Sequence, residues 1–274
     1  MASWYPASMS GHRVPPAAQW LTASIAAVLA LLVVLVPGRG LAQEATPPIF
    51  PPAPPAAAPA PAAAARSVEP GEDEVVRGDP TRPRVSLVIN VGAGSEPAVS
   101  MLDTLREKNL RTTFFVLGWW ADKRPDVLKQ IAEGGHEIAS HGHSVFDLTS
   151  VSDAAVRQDL LAADASISAV TGKTTRPLWS ASAGYRNARV HRIAAELGYR
   201  PIYLTVDSLD WTREATADSV YTRVMERISN GAIVVLHFDS PTTVHSTAGA
   251  LPRLIDDLRA AGYSLVTITE LLTE

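Results

Sequence analysis

From residue 84 onward the sequence predicts an α/β fold, a small and irregular (β/α) barrel of about seven strands. Three observations lead there. Short apolar, β-branched runs alternate with segments whose apolar residues recur at helical spacing, which is how strands buried by helices in a mainly parallel sheet read. About seven such units fit into roughly 190 residues, more than a doubly wound sheet of that length needs. No glycine-rich phosphate loop follows the first strand, because Gly92-Ala93-Gly94-Ser95 lacks the third glycine and the lysine.

Val85 to Val91 reads as the first strand and Thr112 to Leu117 as the second. Glu137 to Ser140, a shorter run at Leu178 to Ala181, Pro201 to Val206, Ile233 to His237 and Ser264 to Thr269 follow. Between them, Val156/Leu160/Ile167/Val170, Val190/Ile193/Leu197, Val220/Val224/Ile228 and Leu251/Leu254/Leu258 each mark the apolar face of a helix. These helices and the one before the third strand end near Gly134, Gly172, Gly198, Gly231 and Gly262, where a left-handed cap costs least. In such a barrel, chemistry belongs at the C-terminal ends of the strands. Asn90, Val91, His141, Arg176, Asp207 and His237 all fall at such ends.

The chain has 274 residues, a formal net charge of -4 and no cysteine. Disulfides, thiolate catalysis and thiolate metal sites are thereby excluded. No basic stripe is present, so nucleic acid is not an expected partner. Val14 to Gly38 carries no charge, and Leu21 to Val36 is almost wholly apolar. With small residues at Gly40 and Ala42, residues 1–42 read as a signal peptide or an uncleaved signal anchor. Residues 43–83 read as a linker, almost only proline and alanine from Thr46 to Ala65 and polar after Arg66. The domain, residues 84–274, is then expected outside the cytoplasm, secreted or periplasmic or anchored at the inner membrane. An uncleaved N-terminal segment would make the membrane a partner.

Several stretches, in order, resemble the polysaccharide deacetylases, the NodB-type domains of carbohydrate esterase family 4. They are Arg111-Thr-Thr-Phe-Phe-Val-Leu-Gly118, Ile131-Ala-Glu-Gly-Gly-His-Glu-Ile138, Ser140-His141 with Asp147-Leu148-Thr149, and Arg176-Pro177. Val206-Asp207 with Asp210-Trp211, Val235-Leu236-His237 and Ala260 to Leu272 complete the series. The resemblance implies a domain that removes acetyl groups from N-acetylhexosamine polymers such as chitin-like oligomers or peptidoglycan. In that family a Thr-Phe-Asp-Asp-Gly motif supplies a base and then a metal ligand, and His-x-x-x-His supplies two more ligands, usually to zinc. An arginine holds the base, and a histidine tuned by an aspartate is the general acid.

Carried over residue by residue, the base position is Asn90, whose amide accepts no proton at neutral pH. The ligand positions are Val91, His141 and Val145, and only the histidine can bind a metal. Arg176, His237 and either Asp207 or Asp210 are retained. A catalytic zinc needs about three protein ligands, so the resemblance implies a pseudoenzyme with no cofactor expected, and zinc only if the enzyme reading holds. Two aspartates and a divalent cation cancel in charge, so losing all three together leaves the site balanced. Val91 and Val145 are expected to approach each other and plug the vacated space, and Asn90 to accept a hydrogen bond from Arg176.

Other residues carry lesser expectations. His143 is a displaced ligand or, more simply, part of a surface loop, and Glu96 or Asp147 would be the substitute carboxylate. His136 is structural, while His12, His191 and His245 carry no signal. Trp179, Tyr185 and Trp211 offer ring faces to a sugar, with core packing the plain alternative for Trp211. Trp119-Trp120 reads as barrel packing. Three functions remain open: a glycan-binding or scaffolding pseudoenzyme of the cell envelope, an active N-deacetylase with rearranged ligands, and a structural envelope protein with no ligand.

Overall fold

The computed structural model describes residues 68–94 and 98–273. The proposed signal or anchor, His12 and Glu96 lie outside the described residues. The sheet is built on β1 (Arg84–Val91), buried continuously from Val85 to Ile89. The other strands are β2 (Thr113–Val116), β3 (Glu137–Ser140), β4 (Leu178–Trp179), β5 (Arg200–Pro201), β6 (Val206–Asp207) and β7 (Ile233–His237). They lie in the order β5-β4-β3-β2-β1-β7-β6, all parallel, and β8 (Ser264–Leu265) pairs with the start of β1 off this path. The result is a seven-stranded parallel half-barrel wrapped by helices. Its wall is open between β5 and β6, which do not pair with each other.

The helices are α1 (Ser100–Glu107), α2 (Gly118–Lys123), α3 (Pro125–Glu133) and α4 (Asp153–Thr171), then α5 (Ala188–Glu196), α6 (Ala217–Arg227), α7 (Thr247–Ala260) and α8 (Ile268–Thr273). Local chemistry sets their ends. The Ser152 side chain accepts from Ala155 to start α4, Asn187 does the same for α5, and Thr216 with Ser219 forms a capping box on α6. Gly172, at φ 71°, ends α4 in the left-handed conformation. The expectation at Gly134 is off by one residue: its φ is -67°, and Gly135 takes the left-handed turn.

Two runs expected as strands divide differently. Pro201 to Val206 is not one strand: Ile202 still donates to Trp179 of β4 at 2.7 Å, Tyr203 donates to the Val75 carbonyl of an earlier segment at 2.8 Å, and Thr205 donates to Ile233 of β7 at 2.8 Å. Ser264 to Thr269 stays extended only to Leu265. Thr267 and Glu270 exchange reciprocal side-chain bonds with each other's backbone N–H at 3.3 and 2.9 Å, which starts α8.

Side-chain alternation sorts the strands into two faces. Leu87, Ile89, Val91, Phe114, Val116, Val234 and Leu236 pack outward in the cluster shared with the helices. Val88, Phe115, Ala139, Ile233 and Val235 pack inward, joined by Ile268 and Leu271 from α8. Residues 68–83, expected as the tail of the linker, lie on the half-barrel. Val68 and Val75 pack against the inward cluster, Val75 donates to Pro201 at 2.9 Å, and Gly78 donates to Gly231 at 2.8 Å. This arm lies against the gap between β5 and β6, with single bridges from Val75 to Ile202 and from Arg77 to Ala232. Its polar composition hid it, since it holds mostly through backbone hydrogen bonds.

Candidate functional site

A cavity of about 370 Å³ opens at the C-terminal ends of the strands. Alternation delivers its polar residues: Asn90 and His237 stand beside each other in the β1–β7 register, Asp207 ends β6, and His141 follows β3. All four line the cavity. Its remaining wall is largely apolar and includes Val91, Leu117, Val145, Leu204 and Val235.

His237 is the most constrained of these side chains. Its Nδ1 lies 2.7 Å from Oδ1 of Asp210, and its own backbone N–H donates to Oδ2 at 2.7 Å. Asp210 is fully buried and also accepts from the Thr247 hydroxyl at 2.5 Å. Burial works against charge on His237, but the Asp210 hydrogen bond and charge, with Asp207 and Asp239 behind them, raise its pKa above the ordinary histidine value. The residue that orients His237 is therefore Asp210. Asp207 spends Oδ1 on the Leu209 backbone N–H at 2.9 Å and faces the cavity as a second carboxylate. Sequence alone left the two open and placed Asp207 first, because both follow the same strand.

His141 behaves differently. Its Nδ1 donates to the Ser180 carbonyl at 2.8 Å, and burial pushes its pKa down to about 4, with the nearby His237 adding to the effect. It is thus a neutral imidazole whose Nε2 carries the lone pair.

Arg176 is not in the cavity. It forms an ion pair with Asp164, donates from Nε to the Leu197 carbonyl at 2.7 Å and lies over the Tyr199 ring. The expected bond to Asn90 is absent, and Oδ1 of Asn90 is buried without a protein partner. The expected plug does not form either. Val91 is 1% exposed and packs into the outward cluster, as strand alternation dictates, while Val145 is 56% exposed on its loop. They share the cavity rim and leave the space open.

Among the aromatics, Trp211 lines the cavity and is half exposed. Trp179 is wholly buried in a separate core cluster, so it offers no face to a ligand. Tyr185 is exposed next to the cavity-lining Gly184 but is not itself part of the wall. His143 is half-buried rather than a surface residue: its Nδ1 is pressed toward Gly118, and it is not part of the cavity wall. Asp147 spends its Oδ1 on the backbone and hydroxyl of Thr149, at 2.8 and 2.6 Å.

Three contributors escaped the sequence reading. Tyr203 forms part of the wall. Asp159, on α4, accepts the backbone N–H groups of His143 and Ser144 at 2.9 and 3.0 Å and so fixes the loop bearing Val145. Asp239 accepts from Gly92 and Ala93 at 3.1 Å, and burial pushes its pKa up to about 6 against those bonds. The small residues at 92–94 were the available signal. A Cβ on Gly94 would stand 2.0 Å from the Asp239 carbonyl oxygen, so only glycine lets the loop approach.

Comparison with known proteins agrees with this architecture. Residues 77–202 match the polysaccharide deacetylase family model. The chain is 33% identical over 204 residues to the uncharacterised protein YlxY of Bacillus subtilis (strain 168), covering 74% of this chain and 61% of that one. It is 32% identical over 198 residues to the peptidoglycan-N-acetylglucosamine deacetylase PgdA of Listeria monocytogenes serotype 1/2a (strain 10403S), covering 71% of this chain and 40% of PgdA. The crystal structure of wild-type BA3943, a CE4 family pseudoenzyme from Bacillus anthracis, superposes with a TM-score of 0.68 at 29% identity, over 73% of this chain and 69% of that chain. A BA3943 mutant with restored enzymatic activity superposes with the same TM-score at 28% identity, over 73% and 71%.

The domain belongs to the polysaccharide deacetylases.

In this polysaccharide deacetylase domain the cavity pairs an Asp210-held His237 with an amide at Asn90 and alkyl side chains at Val91 and Val145. The family's zinc does not fit the residues present. Val91 offers no donor and belongs to the core, Val145 offers none, and His141 has one free nitrogen. Among the described residues no three histidine, aspartate or glutamate side chains converge as a metal-binding group. Asn90 brings an amide to the cavity, and an amide accepts no proton at neutral pH.

Proposed function

We propose that this domain binds N-acetylhexosamine glycan in its open cleft without hydrolysing it, as a pseudoenzyme of the cell envelope. One observation carries the reading: the cavity persists, rimmed by Trp211 and the Asp210-held His237, although the side chains at the base and ligand positions are those of Asn90, Val91 and Val145. A site merely decaying has no reason to retain an oriented imidazole beside an open apolar cleft. Polar sugar edges suit His237, Asp207 and the unpartnered Asn90 oxygen, and an indole face suits the apolar side of a sugar ring. Export through the N-terminal segment, cleaved or as an anchor, belongs to the same proposal and places the cleft beside envelope polymers.

Calorimetric titration with chitooligosaccharides and peptidoglycan fragments tests it. Saturable binding is expected, weakened roughly fivefold or more by Trp211→Ala, with no acetate released in the presence of zinc. A flat titration at millimolar sugar would favour a purely structural envelope role. Acetate release abolished by chelator would establish a rearranged metal site.

A further inference from the structure

The arm that lies against the gap between β5 and β6 also reaches the cleft. Its Glu74 lies 2.5 Å from Nε of Arg186, and the two side chains are 20% and 27% exposed. The Arg186 guanidinium lies over the Tyr203 ring, 3.3 Å from its centroid, and its Nη1 donates to the Gly184 carbonyl at 3.1 Å. Tyr203 and Gly184 both line the cavity. One planar cation therefore ties together two wall segments far apart in sequence, and a carboxylate from a third segment aims it. An exposed ion pair alone contributes little. A guanidinium that is stacked, hydrogen-bonded and partly buried at once is oriented by each partner, and losing one frees the fork as a unit.

We infer that Glu74 is a positioning residue for the cleft: through Arg186 it holds the Tyr203 wall in the shape that receives a sugar ring. The ligand in this statement rests on the glycan reading above, whereas the positioning of the wall does not. The arm is thus part of the site, and the family model's match from residue 77 leaves Glu74 outside it.

The test uses the full chain labelled with 3-fluorotyrosine. Of its six tyrosines, Tyr203 and Tyr221 are assigned by the resonance lost in Tyr203→Phe and Tyr221→Phe. In Glu74→Gln the Tyr203 fluorine resonance is expected to shift or broaden while that of Tyr221, stacked under Arg253, stays in place. Affinity for chitotetraose is expected to fall by roughly threefold to tenfold. Arg186→Lys keeps the charge but not the planar fork, and should do the same. A Tyr203 resonance unmoved in both variants overturns the inference, and so does a moved resonance with unchanged sugar affinity. If Tyr203 moves but the unaltered protein binds no sugar, the wall assignment stands and the glycan reading falls.

Discussion

The Nδ1 atom of His237 lies 2.7 Å from Oδ1 of Asp210, a carboxylate with no solvent exposure. Further bonds from the His237 backbone and from the Thr247, Thr242 and Ser246 hydroxyls hold the aspartate or its backbone carbonyl in place. This pairing decides which histidine nitrogen carries the proton toward Asp210 and leaves Nε2 to face outward from it.

Asp210→Asn removes the main support for a charged imidazole. The His237 pKa should then fall below the ordinary histidine value, because burial is left with weaker opposition, and NMR titration of the ring protons reads it. Asp207→Asn should lower it less, since Asp207 acts only through its charge. Equal effects would return the orienting role to either residue.

His141 sets a pH dependence of opposite sign. Its folded pKa, lowered to about 4, lies below the unfolded value near 6.5. The unfolded chain therefore takes up a proton that the folded chain refuses, and stability contributed above pH 6.5 is lost as pH falls toward 4. His141→Gln should flatten that part of a plot of thermal midpoint against pH. Asp239, raised to about 6, works the other way: stability present below its unfolded value of 3.8 is lost as pH rises through 6, and Asp239→Asn should remove that slope.

Arg176 is predicted to support the fold and not the ligand. Arg176→Ala loses the Asp164 pair, the bond to Leu197 and the stack on Tyr199, and should cost roughly 1–3 kcal/mol in denaturant unfolding. Sugar affinity should stay unchanged. A selective loss of binding at full stability would put the residue back in the cleft.

Asp159→Ala strips two backbone N–H groups of their acceptor under the loop that carries Val145. The expected cost is about 1–3 kcal/mol, with faster hydrogen exchange at His143 and Ser144. Exchange unchanged at those two amides would contradict the clamp.

The strand and helix order was legible because burial on both faces and helical spacing are periodic properties. Asn90, His141, Asp207 and His237 were placed correctly at one rim for the same reason. What escaped depends on side-chain direction. Arg176, expected at the cleft from the resemblance, turns away to Asp164, Trp179 follows the pleat into the core, and Val91 packs with the helices instead of facing Val145. The arm at 68–78 escaped because it is held by backbone bonds that no composition records. The capping box at Thr267 and Glu270, by contrast, was written in the sequence as Thr-x-x-Glu and was overridden by a β-branched run.

The central claim is that Asn90, Val91 and Val145 silence metal chemistry in a cleft that remains open. It is tested most directly by zinc stoichiometry and acetate release in the unaltered protein beside the Asn90→Asp, Val91→Asp, Val145→His triple variant. The unaltered protein should hold no stoichiometric zinc and release no acetate from chitooligosaccharides. The variant should be destabilised without metal, since Val91 is buried, and should regain stability on binding one zinc. One chelator-removable zinc in the unaltered protein, with acetate release that depends on it, would contradict the account.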